Sequence, residues 1–207
     1  VKKSQKDWAA WLKVESEVSV DLGGGVKMEF VLIPPGKFYM GATKEEHDVY
    51  LESLGKGQER PKWLDWELPR HVVTLTQPFY LGKYEVTQEE YVRLTGKENP
   101  SRFKDELNSK RHPVESVSWN DAKVAWEALS AKTLPKGFGK ASLPTEAQWE
   151  YACRAGTRSS FHFGDVLKGD KANCNGNFPY DTPTKGKYLE KTCPVDSADY
   201  AANAFGL

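Results

Sequence analysis

The spacing of apolar and polar positions changes several times along the chain, and each change marks an element. In residues 2 to 12, KKSQKDWAAWL, Trp8, Trp11 and Leu12 fall at three- and four-residue spacings, which predicts a short amphipathic linker helix packing on the domain. Gly23-Gly24-Gly25 reads as a turn, since it lacks the strand-then-helix setting and the lysine of a phosphate loop. Met28 to Ile33 predicts a strand, and Pro34-Pro35-Gly36 predicts a turn delivering Lys37 to Met40 as its hairpin partner. From Ala42 to Pro69 the polar residues dominate, and a long loop is expected. His71 to Thr76 and Phe79 to Tyr84, separated by Gln77-Pro78, read as two strands bracketing the sheet.

Three helices carry their own start signals. Thr87 with Glu90, and Thr145 with Gln148, are spaced as capping boxes, and Ser118 with Asp121 offers the same hydroxyl start. The first helix runs through Tyr91, Val92 and Leu94 to a stop at Gly96, followed by a charged loop over residues 97 to 111. The second runs from about Trp119 to Ala131 and carries Ala122, Val124, Ala125, Trp126 and Leu129. The third begins at Glu146 and ends near Gly156; Trp149, Ala152 and Cys153 share what is expected to be its buried face, opposite Glu146 and Glu150. Beyond Gly156, recurrent Gly and Pro predict mostly loop. Strands and helices alternate in no βαβ order, so the fold class is α+β, and no repeat of 20 to 50 residues is visible.

Composition narrows the function classes. With 207 residues, 39% of them hydrophobic, one core suffices. Residues 1–26 read as a linker with a short helix and 27–207 as the domain. Lys plus Arg and Asp plus Glu number 29 each, so no net field favours nucleic acid or an anionic membrane, which leaves a small substrate, a peptide or protein substrate, or a protein partner. No run of about eighteen apolar residues suggests a membrane span, and no charged-then-apolar leader is present. Seven Trp, nine Tyr and nine Phe point to a core built on large rings.

The chemistry-bearing residues are few. Cys153, Cys174 and Cys193 include no Cys-x-x-Cys pair, which argues against structural zinc or a dithiol redox motif. Cys174 and Cys193 bracket a turn-rich loop, and a disulfide between them is expected in an oxidising compartment, the basis for an extracytoplasmic expectation. Cys153 is expected as a small core residue. His47 has no second His three or four residues away and is expected on the solvated surface; His71 and His112 are expected to make ordering hydrogen bonds, and His162 to be a strand-edge ring. No Ser, His and Asp set has local support as a triad.

Four runs in one order carry a resemblance: VLIPPGKFYMG from Val31, FYLGKYEVT from Phe79, HPVESVSWNDA from His112 and LPTEAQWEYACRAGT from Leu143. Together they resemble the formylglycine-generating enzyme (sulfatase-modifying factor) family, whose members share a C-type-lectin-like fold. The similarity runs from about Met28 to the last residue. Asn203-Ala204-Phe205-Gly206-Leu207 resembles the lead-in to the family's catalytic C-terminal segment, so the domain is expected to be C-terminally incomplete and that segment to be its missing partner.

The resemblance implies aerobic oxidation of a sulfatase cysteine to formylglycine. The copper(I)-binding cysteine pair expected of the complete enzyme would lie in the C-terminal segment, leaving this span inactive and without catalytic residues or a cofactor of its own. It also implies a calcium loop, in which Asn173 and the Cys174 carbonyl match two ligand positions. Lys187 stands where the family has an acidic ligand, so the calcium site is expected to be lost, with Cys174 and Cys193 bridging the loop instead. In relatives the position of Cys153 can bond to a cysteine of the C-terminal segment. The structural residues singled out are Thr145, Trp149, Cys153, Cys174 and Cys193. The alternative function is a non-catalytic binding or regulatory module of the same fold; an iron-dependent sulfoxide synthase is disfavoured because the four His are scattered.

Overall fold

The computed structural model describes residues 2–54 and 59–207; the part of the expected polar loop at residues 55–58 lies outside the described residues. Its centre is a strand with cores on both sides. Glu17–Gly23 (β1) turns through Gly24 and Gly25 into Val26–Ile33 (β2), whose last four residues are all buried. Phe79–Gly82 (β5) pairs antiparallel with the other edge of β2, giving the order β1-β2-β5. Gly36–Met40 (β3) and His71–Leu75 (β4) form a separate antiparallel pair.

The expected hairpin of Met28–Ile33 with Lys37–Met40 is therefore incorrect, and the two strands of His71–Thr76 and Phe79–Tyr84 belong to different sheets. Pro34 and Pro35 have no N–H to give a ladder, and they carry the chain off the end of β2 into the second sheet. β1 itself was missed, although Val18, Val20 and Leu22 alternate with polar residues and point toward the core.

One core gathers Val20, Leu22, Met28 and Phe30 against Tyr91, Leu94, Ala125 and Leu129. These last four come from Gln88–Thr95 (α3) and Trp119–Ser130 (α4), which start on capping boxes at Thr87 and Ser118. α3 stops at a left-handed Gly96, as the sequence predicts. The opposite core joins Ile33 to Tyr151, Ala152, Ala155 and Phe205, the first three of these from Glu146–Arg154 (α5) and its cap.

Two faces were assigned wrongly from spacing alone. In α5, Ala152 is fully buried, but Trp149 is 58% exposed and Cys153 is exposed too. The helix has a second apolar stripe one residue over, and Tyr151 reaches both Phe38 and Phe205 from it. In Lys2–Leu12 (α1), Trp11 is exposed and edge-packed on Trp8, while Gln5 and Ala9 are buried. Gln5 is inside because its amide donates to the carbonyls of Leu32 at 3.0 Å and Phe205 at 3.1 Å, which would otherwise be orphaned acceptors.

The polar stretch from Ala42 is also more ordered than expected. It contains Lys44–Ser53 (α2), begun by a fourth capping box at Thr43 and Glu46, and a 3-10 turn at Lys62–Glu67. His47 lies within it, 2% exposed rather than solvated. Its ring bonds Glu67 through Nε2 and Arg60 through Nδ1, each at 3.2 Å, so polar partners replace the apolar ones that an amphipathic pattern would have revealed.

Candidate functional site

The segment Leu143 to Thr157 is locked at both ends. Thr145 Oγ1 accepts from the Gln148 N–H while the Gln148 side chain accepts from the Thr145 N–H, closing the box at the start of α5. At the other end Ala155 adopts the left-handed region at φ 46°, and Asn203 donates to the carbonyls of Ala152 and Cys153. This fixes Trp149 and Cys153 one turn apart, facing a cavity of about 700 Å³. Trp126, Leu129, Phe138 and the residues of β5 line the same cavity. Although Cys153 is exposed as a residue, partial desolvation of its thiol pushes the pKa up; Arg154 opposes this and Glu150 reinforces it.

Cys174 and Cys193 lie in the loop region and, like Cys153, are free thiols in this structure rather than the expected disulfide. Asn173 occupies the space beside them: its amide donates to the Lys191 carbonyl at 2.9 Å and to Cys193 Sγ at 3.6 Å. Burial raises the pKa of both thiols. The loop is held by backbone contact, Gly176 N–H to the Lys187 carbonyl and Gly186 N–H to that of Gly176. A side chain at Gly186 would meet the Lys168 carbonyl carbon-to-oxygen at 1.6 Å, so the two segments touch only because that residue is glycine.

These donors fit neither implied metal well. Among the described residues there is no group of three or more His, Cys, Asp or Glu placed to hold an ion. Copper(I) is held by thiolates, and Cys153, Cys174 and Cys193 belong to no such group among the described residues. At the calcium loop the Lys187 ammonium stands 3.9 Å from Asp199, and the Asn173 amide faces its neighbours as a donor.

The histidines hold structure together. His71 Nδ1 meets the Pro69 carbonyl, His162 Nε2 meets that of Ala201, and the buried His112 meets the Thr192 hydroxyl at 2.9 Å, pinning the start of α3 to the loop. Spacing gave no sign of two features of the cavity: the indole N–H of Trp126 is buried without an acceptor, and β5 is the last strand of its sheet.

The model of the sulfatase-modifying factor enzyme 1-like domain matches residues 24–207. The chain belongs to that family. Chaperone protein LppX of Paenibacillus barcinonensis is 35% identical over 116 residues, covering 42% of this chain and 39% of LppX. The formylglycine-generating enzyme of Streptomyces coelicolor is 40% identical over 101 residues, 46% of this chain and 28% of the enzyme. This sulfatase-modifying-factor domain thus spans well under half the length of the curated relatives it matches. PvdO from Pseudomonas aeruginosa has the same fold, with a TM-score of 0.59 and 24% identity over 92% of this chain and 69% of PvdO. Short helices around small antiparallel sheets, with long irregular segments, are the C-type-lectin-like architecture of the formylglycine-generating group.

Proposed function

We propose that this domain is the scaffold portion of a formylglycine-generating-type protein, and that residues 1–207 do not by themselves oxidise a cysteine. The observation that carries this reading is the 40% identity to the Streptomyces coelicolor enzyme, which extends over only 28% of that enzyme. The substrate would be a peptide or protein segment bearing a sulfatase cysteine, and copper would be held by residues other than these three thiols. The similarity to a protein named as a chaperone favours a second reading, a non-catalytic binding module of the same fold.

The experiment is an assay on a Cys-containing sulfatase-motif peptide with copper(I) and oxygen, following loss of the peptide thiol and gain of an aldehyde by mass. The 207-residue chain should leave the peptide unchanged, while the product of the whole gene converts it. Conversion by the 207 residues alone refutes the scaffold reading, and inactivity of the whole gene product at saturating copper selects the module.

A further inference from the structure

We propose that His47 is a proton-operated latch: as a neutral ring it holds Arg60 and Glu67 together, and on taking a proton it keeps Glu67 and releases Arg60. The ring is 2% exposed, with Nε2 at 3.2 Å from a Glu67 carboxylate oxygen and Nδ1 at 3.2 Å from Arg60 Nη2. A guanidinium has only donors and keeps its proton at any ordinary pH, while an ionised carboxylate only accepts. These two partners therefore fix the tautomer. Nδ1 carries the lone pair and accepts from Arg60, and Nε2–H donates to Glu67. A half-turn of the ring would set carbon atoms against both partners, so no equivalent arrangement competes with this one.

A proton can enter only at Nδ1, where its N–H would face the Arg60 N–H donor to donor and bring two cations together in a site with little water to screen them. The same proton strengthens the bond to Glu67, because both of those partners are then charged. One event thus breaks one tie and tightens the other. Arg60 has a second position open to it. Asp65 already accepts from its Nε at 3.3 Å and its Nη2 at 2.9 Å, and the two side chains are 38% and 67% exposed, so the pair can swing into solvent together. The remaining charges nearby are engaged elsewhere: Glu46, beside His47 on α2, accepts the Thr43 N–H and lies 3.6 Å from Arg70 at the approach to β4. Among the described residues no other charged group bonds the ring. The 3-10 turn at Lys62–Glu67 stays tied to α2 through Glu67 and through Trp63, which packs on Tyr50 at 5.5 Å between ring centroids. Only the tie ahead of the turn, at Arg60, is pH-sensitive. The latch acts within the fold and is independent of the oxidation reading.

The test is nuclear magnetic resonance of the protein labelled at histidine and arginine nitrogens, titrated from pH 8 to pH 5, across which an imidazole ordinarily changes charge. At pH 8 the His47 ring should show a bare Nδ1 and a protonated Nε2. The Arg60 guanidinium hydrogens should then exchange about tenfold more slowly than those of the exposed Arg158. As the ring takes its proton, the Arg60 exchange rate should rise toward that of Arg158 while Nε2–H stays protected. Arg60→Met should let the ring take its proton at a higher pH than in the parent, and Glu67→Gln at a lower one; backbone amide spectra check that both variants are folded. The latch is overturned if the proton sits on Nδ1 at pH 8, if the ring stays neutral down to pH 5, or if Arg60 exchange does not follow the ring. It is also overturned if Arg60→Met leaves the titration midpoint where it was, or if Arg60 is released only as the whole domain loses its amide dispersion.

Discussion

Glu150 accepts the backbone N–H of Gly41 at 3.0 Å, tying the middle of α5 to the end of β3 across 109 residues of sequence. Arg154 completes the link: its Nε donates to the same Glu150 oxygen at 2.8 Å and its NH2 to the Gly41 carbonyl at 3.1 Å. Both side chains are at most 20% exposed, so this is a charge-assisted cluster shielded from much of the solvent. Gly41 sits at φ 87°, and a Cβ there would lie 2.3 Å from the Glu67 carbonyl, so the backbone approach depends on glycine. Glu150→Ala should lower stability by about 1–3 kcal/mol, since it strands a half-buried donor and a cation. Glu150→Gln, which can still accept from Gly41, should cost about half as much. Urea unfolding of the two variants checks the order.

The cluster also marks where sequence reading stops. Hydroxyl caps at Thr87, Ser118 and Thr145 were legible because the whole signal lies within four residues. The same rule could have found Thr43 with Glu46, had the polar stretch around it not been read as loop. Glu150 was placed opposite the presumed buried face, because its partner Gly41 is set by tertiary packing. The wrong choice between Trp149 and Tyr151 has the same origin: both lie on apolar stripes of α5, and only the position of Phe205 and Phe38 selects Tyr151. Of the candidate site, the cysteines were legible as residues, but the cavity was not, because β5's open edge follows from sheet order and not from local pattern.

Glu90 offers a pH test. Burial raises its pKa above the usual 4.5, against the lowering hydrogen bonds from Thr87 and the nearby Arg111 charge. A carboxyl whose folded pKa lies above its unfolded value favours folding most when protonated. Its contribution is complete below pH 4.5 and is lost as pH rises through the folded pKa. Glu90→Gln retains an acceptor for the Thr87 N–H, bonded at 2.8 Å, and removes the buried charge. Its melting temperature should exceed that of the parent at pH 7, and the difference should close at pH 4.

Asp121 behaves in the opposite sense. Hydrogen bonds from the Ser118 hydroxyl and backbone, then from Lys97, lower its pKa from 3.8 to about 2. Its stabilising effect is therefore complete above pH 3.8 and is lost as pH falls through about 2. Asp121→Asn should melt lower than the parent at pH 6, and the gap should narrow steadily between pH 4 and pH 2. A gap of constant size over that range would assign the capping effect to the hydrogen bonds rather than to the charge.

His47 is the hinge pin of the segment between α2 and β4. His47→Ala removes a 2% exposed ring together with its bonds to Glu67 and Arg60, and should cost about 2–4 kcal/mol through the cavity and the lost hydrogen bonds. Limited proteolysis should then cut first between Lys44 and Glu67. Trp66→Ala, at a side chain 85% exposed, should stay within about 0.5 kcal/mol of the parent and serves as the control.

Gly36 tests the join between the second sheet and α5. It lies outside the left-handed region, so alanine meets no backbone penalty there, yet its Cβ would stand 2.2 Å from the Tyr151 hydroxyl oxygen and 3.0 Å from the ring carbon that bears it. Tyr151 cannot swing away freely, because Phe38 and Phe205 hold its ring at centroid distances of 5.3 and 5.7 Å. Gly36→Ala should therefore destabilise by about 1–3 kcal/mol through overpacking. Tyr151→Phe removes the clashing oxygen, which has no hydrogen-bond acceptor among the described residues, and should itself cost less than about 1 kcal/mol. In the double variant the closest contact becomes the ring carbon, so most of the Gly36→Ala penalty should disappear. A double-mutant cycle in urea should give a coupling of about 1 kcal/mol or more between the two sites. Simple additivity would mean that the strand moves away to accept the new methyl group, and that the β3 to α5 contact is looser than the burial of Tyr151 implies.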